Sequence, residues 1–196
     1  MTSGDGAPPE PGRLRVLLRV AGAIDRLNDW IYAGIRWLIP AMVVLGACNA
    51  LLRYLNRWTH VSLTSNAAFE LQWYLFSLVF LLGAAYGLNR DVHVRVDVLY
   101  SRFGPRYRKW VDFLGTVFFA IPFSILMLVT CWPAVRNSWL IREGSPDPGG
   151  LPRYPIKTVI LVCFVLLLLQ SISLAIKGYA ALREGRGAPG DGGGVD

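Results

Sequence analysis

The sequence predicts an all-α membrane protein with four transmembrane helices, and three observations support this fold class. The 196-residue chain is 54% hydrophobic and only 17% charged, whereas a typical soluble domain carries about 25% charged residues. The apolar residues are concentrated in four long stretches, at 37–52, 69–88, 113–135 and 156–176. Basic residues lie mainly between these stretches, as they do in loops beside a membrane.

The N-terminal region consists of a tail followed by a basic helix. Residues 1–12 are rich in Gly and Pro and are predicted to be disordered. Between residues 13 and 32, apolar residues recur at helical spacing among four arginines, which predicts a basic amphipathic helix suited to an anionic cytoplasmic leaflet. The same pattern fits the start of one long tilted first helix, and the sequence does not decide between the two.

The membrane domain is predicted to cover residues 13–180. About 20 helical residues cross a hydrocarbon core of roughly 30 Å. Three apolar stretches reach this length unaided, and the first reaches it by starting near Ile31, with Arg36 extending to the headgroups. Pro122 should kink the third helix and free a backbone carbonyl. The predicted spans are about 31–52, 67–88, 112–135 and 156–177, followed by a second disordered tail at 181–196.

The distribution of basic residues predicts the topology. Thirteen Lys and Arg residues lie in segments 1–30, 89–111 and 177–196, against six in the two remaining loops. By the positive-inside rule both termini and the middle loop are cytoplasmic, as an even number of spans requires. The net charge of +7 does not indicate nucleic-acid binding, because the basic residues do not form one face of a soluble domain.

Glu70 and Gln72 lie about one turn inside the outer end of the second span. A carboxylate costs about 2.5–3.5 kcal/mol at the centre of a membrane and less near the interface. One interpretation makes Glu70 a proton- or ion-coupling group, and the other makes it structural, with Arg53 at the end of the first span as its partner. The interfacial position favours the structural interpretation. Trp73 shares a helix face with Glu70, which predicts a contact surface.

The loop after the second span carries His93 and Asp97, which a helix would bring together as two metal ligands. A zinc site needs three or four ligands, and the other histidine, His60, is predicted on the opposite side of the membrane. The same separation argues against a bis-histidine haem. We therefore expect no metal or cofactor here. Arg90 and Arg95 should meet lipid phosphates, while His93 and Asp97 hydrogen-bond a helix end.

Residues that could catalyse a reaction are not grouped in any recognised motif. The sequence contains no GxSxG, HExxH or Walker-type pattern, so we expect no enzyme activity. Gln170 and its neighbours Ser171 and Ser173 are predicted to make hydrogen bonds between helices, not a substrate path. The small residues Gly83 and Ala85 permit close approach of another helix. The loop at 143–155 holds four prolines and three glycines and should form a rigid outer cap.

The order of these features resembles the small membrane subunit of tripartite ATP-independent periplasmic (TRAP) transporters, the DctQ/SiaQ-type family. The resemblance covers about residues 30–178. A later part, EGSPDPGGLP at 143–152 together with 166–170, resembles a subgroup labelled for mannitol or chloroaromatic compounds. The residues that carry the family resemblance are Arg53, the ELQW sequence at 70–73, the FLLGAAY sequence at 80–86 and the HVRVDVL sequence at 93–99.

This resemblance implies a subunit of the bacterial inner membrane that does not itself form the translocation path. A periplasmic binding protein would deliver an organic acid to a large multi-span subunit, which moves it with a sodium gradient. The small subunit would act as a scaffold, and the loop at 143–155 and the loop near His60 would be landing surfaces. The residues expected at subunit interfaces or in structural roles are Arg53, Glu70, Gln72, Trp73, His93, Arg95, Asp97 and Gln170.

Two other functions fit the residues alone. The first is an autonomous four-helix exporter that dimerises around Glu70. The second is the membrane anchor of an oxidoreductase that binds haem or quinone. The absence of a second suitably placed histidine and of paired broken helices weakens both alternatives.

Overall fold

The computed structural model describes residues 11–59, 65–90 and 105–187, and the regular elements in these ranges are all helical. A π-helical turn, Thr116–Ala120, joins α4 to α5. Four helical segments are long and apolar enough to cross a membrane, which confirms the predicted fold class and number of spans. The helices are α1 (Pro11–Ile35), α2 (Leu38–Thr59), α3 (Asn66–Asn89), α4 (Pro105–Gly115), α5 (Ile121–Leu140) and α6 (Arg153–Gly187).

Helices α1 and α2 run in the same direction, antiparallel to α3. Tyr32 on α1 stacks on Tyr86 near the end of α3, with ring centroids 3.8 Å apart. Further along, Gly46 on α2 lies against Gln72, near the start of α3. Only a tight turn at residues 36–37 separates α1 from α2. The basic N-terminal helix therefore exists as a separate helix and also leads directly into the first span.

Helix α6 lies at the centre of the bundle and packs against α1, α3, α4 and α5. Its 35 residues extend about 52 Å at 1.5 Å per residue, well beyond a hydrocarbon core of roughly 30 Å. We call the end of the bundle that carries the loop at 141–152 the cap end. The opposite end, which carries Pro11, Arg90 and Gly187, is called the terminal end.

The side chains are distributed as expected for a protein surrounded by lipid. Large apolar side chains are widely exposed, whereas several of the most buried residues are polar. In hydrocarbon, polar groups must find partners inside the protein, because no water is available to them. The buried polar residues in the described ranges are Asn28, Glu70, Ser124, Ser138, Gln170, Ser171 and Ser173.

The irregularity expected at Pro122 is a π-helical turn just before the proline. The backbone N–H of Ile121 donates to Thr116 O, five residues earlier. Ser124 donates from its hydroxyl to Ala120 O at 2.8 Å. The wider turn accommodates the missing N–H of the proline, and the serine hydroxyl satisfies a nearby carbonyl.

The helices extend into both segments predicted as tails. Helix α1 begins at Pro11, and α6 continues to Gly187, seven residues into the segment 181–196. Proline is well tolerated in the first turn of a helix. Ala180, Ala181 and Leu182 are strong helix formers, and Ala180 is buried. The Gly/Pro density that suggested a tail begins only after them.

Helix α1 covers the patch of small residues on α3. Ala85 is fully buried, and a Cβ added to Gly83 would lie 3.7 Å from Cδ1 of Ile35 on α1. The close helix contact predicted for this patch is therefore made within the chain.

Candidate functional site

Glu70 is the centre of a polar clasp at the cap end. Although it lies on a membrane-spanning helix, its relative exposure is only 2%. Its carboxylate accepts hydrogen bonds from the hydroxyl of Ser145 and from the backbone N–H of Leu151. Hydrogen bonds to an ionised group are stronger than those between neutral groups, and here they offset the cost of placing a carboxylate near the interface.

Two further residues of α3 hold the same loop. Asn66 donates from Nδ2 to Pro148 O at 3.0 Å, and the Tyr74 hydroxyl donates to Pro152 O at 2.9 Å. Gly150 leaves room for the hydrogen bond between Ser145 and Glu70, because a Cβ there would clash with the side chain of Ser145 and lie 2.6 Å from Oε2 of Glu70. We call Glu70, Asn66 and Tyr74 together with the loop at 145–152 the Glu70 clasp.

A second acidic group, Glu143, stabilises the start of the loop. Its carboxylate pairs with Lys157 and accepts a hydrogen bond from Ser138. The hydrogen bond from Lys157, followed by that from Ser138, lowers the pKa of Glu143 below its usual value. The backbone N–H of Arg153 also donates to Glu143 O at 2.8 Å. The rigid cap predicted from prolines and glycines is thus tied to α3, α5 and α6.

The predicted pairing of Glu70 with Arg53 was wrong. Within the described ranges, the hydrogen bonds of Glu70 go to the loop, and the ion pairs do not include Arg53. The nearby positive charge is that of Arg153 at the start of α6. The reason is geometric, because Glu70 is on the side of α3 that faces α6, whereas Arg53 is exposed on α2.

A buried polar cluster joins α1 to α6 at the terminal end. Asn28 donates from Nδ2 to Oε1 of Gln170 at 2.6 Å, and Gln170 donates from Nε2 to Oδ1 of Asp25 at 3.0 Å. Ser173 donates to the same Asp25 oxygen at 2.9 Å, and Lys177 forms an ion pair with Asp25. We call these five residues the Gln170 cluster.

Only part of this cluster was predicted from the sequence. Gln170 and Ser173 were expected to bond between helices, and they do, although their partners Asp25 and Asn28 were missed. A signal was present, since Asp25 and Asn28 are three residues apart on a helix and so share one face. Their partners, at 170, 173 and 177, show the matching helical spacing on α6.

The other predicted residues lie elsewhere. Gln72 packs onto Gly46 of α2, and Trp73 is 37% exposed, with its ring edge-on to Tyr74 at 4.3 Å between centroids. The structure therefore does not bring Arg53, Glu70, Trp73 and Gln170 into one site. His60, His93, Arg95 and Asp97 lie outside the described residues.

Neither polar group has the composition of a catalytic or metal centre. In the described part of the chain, no group of three or more His, Cys, Asp or Glu residues could hold a metal ion. The carboxylates of Glu70 and Asp25 are occupied by donors from the same chain. What the arrangement can do chemically is to fix helices and a loop relative to one another.

Comparison with known proteins gives a consistent family assignment. The family described as "Tripartite ATP-independent periplasmic transporters, DctQ component" matches residues 42–180. The chain is also similar to the C4-dicarboxylate TRAP transporter small permease protein DctQ of Vibrio cholerae serotype O1, with 30% identity over 140 residues. This alignment covers 68% of the chain and 56% of the relative, so the chain spans just over half of that protein's length. No solved structure matches.

Proposed function

The chain belongs to the DctQ component family of tripartite ATP-independent periplasmic transporters, and we propose that it acts there as a fixed scaffold for the large transport subunit. It is the small permease subunit, a multi-pass component of the inner membrane. It takes part in transport and is not an enzyme. The family assignment favours a transporter subunit over the two alternatives, the oxidoreductase anchor and the autonomous exporter. The mannitol or chloroaromatic subgroup stays a prediction.

One observation supports the scaffold role most strongly. In the described part of the chain, the buried charged and amide groups, which an ion- or substrate-binding path would need, tie the chain to itself. Glu70 fixes the cap loop, and Gln170 fixes α1 against α6. A coupling carboxylate needs a deeper position and free oxygen atoms, whereas Glu70 has neither. The result is a rigid surface against which a moving subunit can work.

In the proposed complex, a periplasmic binding protein captures an organic acid and delivers it to the large multi-span subunit, which transports it with a sodium gradient. The named relative, a C4-dicarboxylate transporter subunit, supports a carboxylated substrate for the complex. The binding protein, not this chain, would determine the identity of the substrate.

The cap loop is the proposed landing surface for the binding protein. Asp147 and its neighbouring prolines are exposed, while Glu70 and Glu143 hold the loop in one conformation from below. A fixed loop loses little conformational entropy on binding. The asymmetric distribution of basic residues supports a periplasmic position for the cap end and a cytoplasmic position for both termini.

Purification and reconstitution test the proposal. The affinity-tagged chain, expressed in a cell that also produces the large permease subunit, should co-purify with it in a mild detergent. Liposomes that contain the chain alone should show no transport of succinate, used here as a C4-dicarboxylate probe. Failure of the two proteins to co-purify when both are produced, or uptake of succinate by the chain alone, would contradict the scaffold role.

A further inference from the structure

A groove of about 460 Å³ lies between α2 and α3 at the cap end. Gly46 and Ala50, which are about one turn apart on α2, form its floor and place no bulky side chain there. Gln72 closes one end, where a Cβ on Gly46 would lie 2.7 Å from Nε2 of Gln72. The carboxamide therefore rests directly on the α2 backbone, and the groove is a product of helix packing.

Arg53 provides the positive charge of this groove. Within the described residues the groove lining includes no carboxylate, and the ion pairs do not include Arg53. Glu70, the acidic residue nearest in sequence to the lining, is directed toward the cap loop. A guanidinium group without a carboxylate partner at a membrane surface is well suited to bind a phosphate group through two parallel hydrogen bonds.

The polar groups of the groove are arranged by depth. Because α2 and α3 are antiparallel and Gly46 lies beside Gln72, Arg53 is about 10 Å further toward the cap end, level with the start of α3. Asn49 lies one turn deeper than Arg53, and the carboxamide of Gln72 lies deeper still. Below them the surface is apolar, with Val43 60% exposed. A glycerophospholipid has the same order of groups, namely phosphate, ester carbonyls and acyl chains.

We propose that this groove binds one anionic glycerophospholipid, with its phosphodiester group on Arg53. The carboxamides of Asn49 and Gln72 donate hydrogen bonds to the ester carbonyls, and one acyl chain lies on Gly46 and Ala50. The described lining offers no carboxylate for the ammonium group of a zwitterionic lipid, and a lipid of net charge −1 balances the single guanidinium. This site is independent of the proposed scaffold role.

Native mass spectrometry of the full-length chain tests the proposal. The detergent-purified protein is mixed with equimolar phosphatidylglycerol and phosphatidylethanolamine, and the lipid retained is identified. We expect one phosphatidylglycerol per chain, and Arg53→Gln should reduce its retention about tenfold because it removes a charge-assisted contact. Arg142→Gln is the matched control, since Arg142 is exposed at the cap end outside the groove. Equal retention by Arg53→Gln and wild type, or equal losses in both variants, would overturn the proposal.

A second pair of variants tests the groove without changing the charge. Ala50→Trp should fill the floor and reduce retention as strongly as Arg53→Gln, whereas Ala47→Trp, on the exposed surface outside the groove, should not. Binding of inorganic phosphate that depends on Arg53, with no lipid retained by the wild type, would show that the site takes free phosphate and would refute a lipid site. Cross-linking of Arg53 to an acidic residue of another subunit, with no lipid retained, would also refute it.

Discussion

Asn28 on α1 donates from Nδ2 to Oε1 of Gln170 on α6 at 2.6 Å, although 142 residues separate them in the chain. Both side chains are almost completely buried, with exposures of 2% and 0%. Hydrogen bonds between membrane helices contribute about 0.6–2 kcal/mol, and groups without partners are costly in a medium without water. This pair therefore identifies the Gln170 cluster as the contact that fixes α1 against the central helix, α6.

Replacing Gln170 with leucine should lower the free energy of unfolding by about 1–3 kcal/mol, because the buried Asn28 and the partly buried Asp25 would each lose a hydrogen bond. Unfolding by denaturant in detergent micelles measures the change. Ser171→Ala is the control, since the Ser171 hydroxyl donates to Leu167 O within α6. Equal effects of the two substitutions would contradict the role of Gln170 in fixing α1 against α6.

The ion pair between Asp25 and Lys177 should be detected by a double-mutant cycle. We expect the combination of Asp25→Asn and Lys177→Met to cost less than the sum of the single changes by about 0.5–1 kcal/mol. The expected coupling energy is small because the side chain of Lys177 is 40% exposed and its charge is screened by solvent. Strictly additive unfolding free energies would show that the two residues are not coupled.

The Glu70 clasp should be sensitive to one methyl group. Gly150→Ala places a Cβ against the side chain of Ser145 and 2.6 Å from Oε2 of Glu70, which are the two partners of one hydrogen bond of the clasp, so the loop must shift, at a cost of about 1–3 kcal/mol. Hydrogen exchange of the loop amides, above all that of Leu151, should accelerate. Gly144→Ala is a matched control in the same loop, because no atom lies within 4 Å of its added Cβ. Unchanged exchange in Gly150→Ala would indicate that the clasp does not hold the loop.

The contribution of Glu143 should depend on pH. Because hydrogen bonds from Lys157 and Ser138 lower its folded-state pKa, its stabilising effect is fully present above the unfolded-state pKa of about 4.3. The effect is lost as the pH falls through the lower, folded-state pKa. The difference in unfolding free energy between wild type and Glu143→Gln should therefore be constant near neutral pH and shrink below about pH 4. A difference that does not change from pH 7 to pH 3 would contradict this interpretation.

The spans could be predicted from the sequence because hydropathy and length are local properties. The four apolar stretches correspond to the four membrane-crossing segments, and Pro122 correctly indicated an irregular helix. The ends of the helices were harder to predict, because a helix continues as far as tertiary contacts stabilise it. Ala180 is buried in the bundle, so α6 extends past the predicted boundary.

The partners of the polar residues could not be predicted in the same way. Glu70 was expected to pair with Arg53, the cation at the end of the neighbouring span, but its partner Leu151 is 81 residues away and contributes a backbone N–H, which any residue type carries. Asp25 was missed because the arginines of residues 13–32 predicted a helix that contacts lipid headgroups, not one that packs on α6. A sequence pattern predicts which residues share one face of a helix. The residues that this face contacts depend on how the helices pack.

We propose that Glu70 has a structural role, and the sodium dependence of transport distinguishes this role from ion coupling. Liposomes with the large subunit, this chain and the loaded binding protein would be compared for wild type and Glu70→Gln, with uptake normalised to assembled complex. If Glu70 is structural, the variant should give less assembled complex but the same dependence of uptake on sodium concentration. Normal assembly with an altered sodium dependence would show that Glu70 takes part in ion coupling and would rule out a purely structural role.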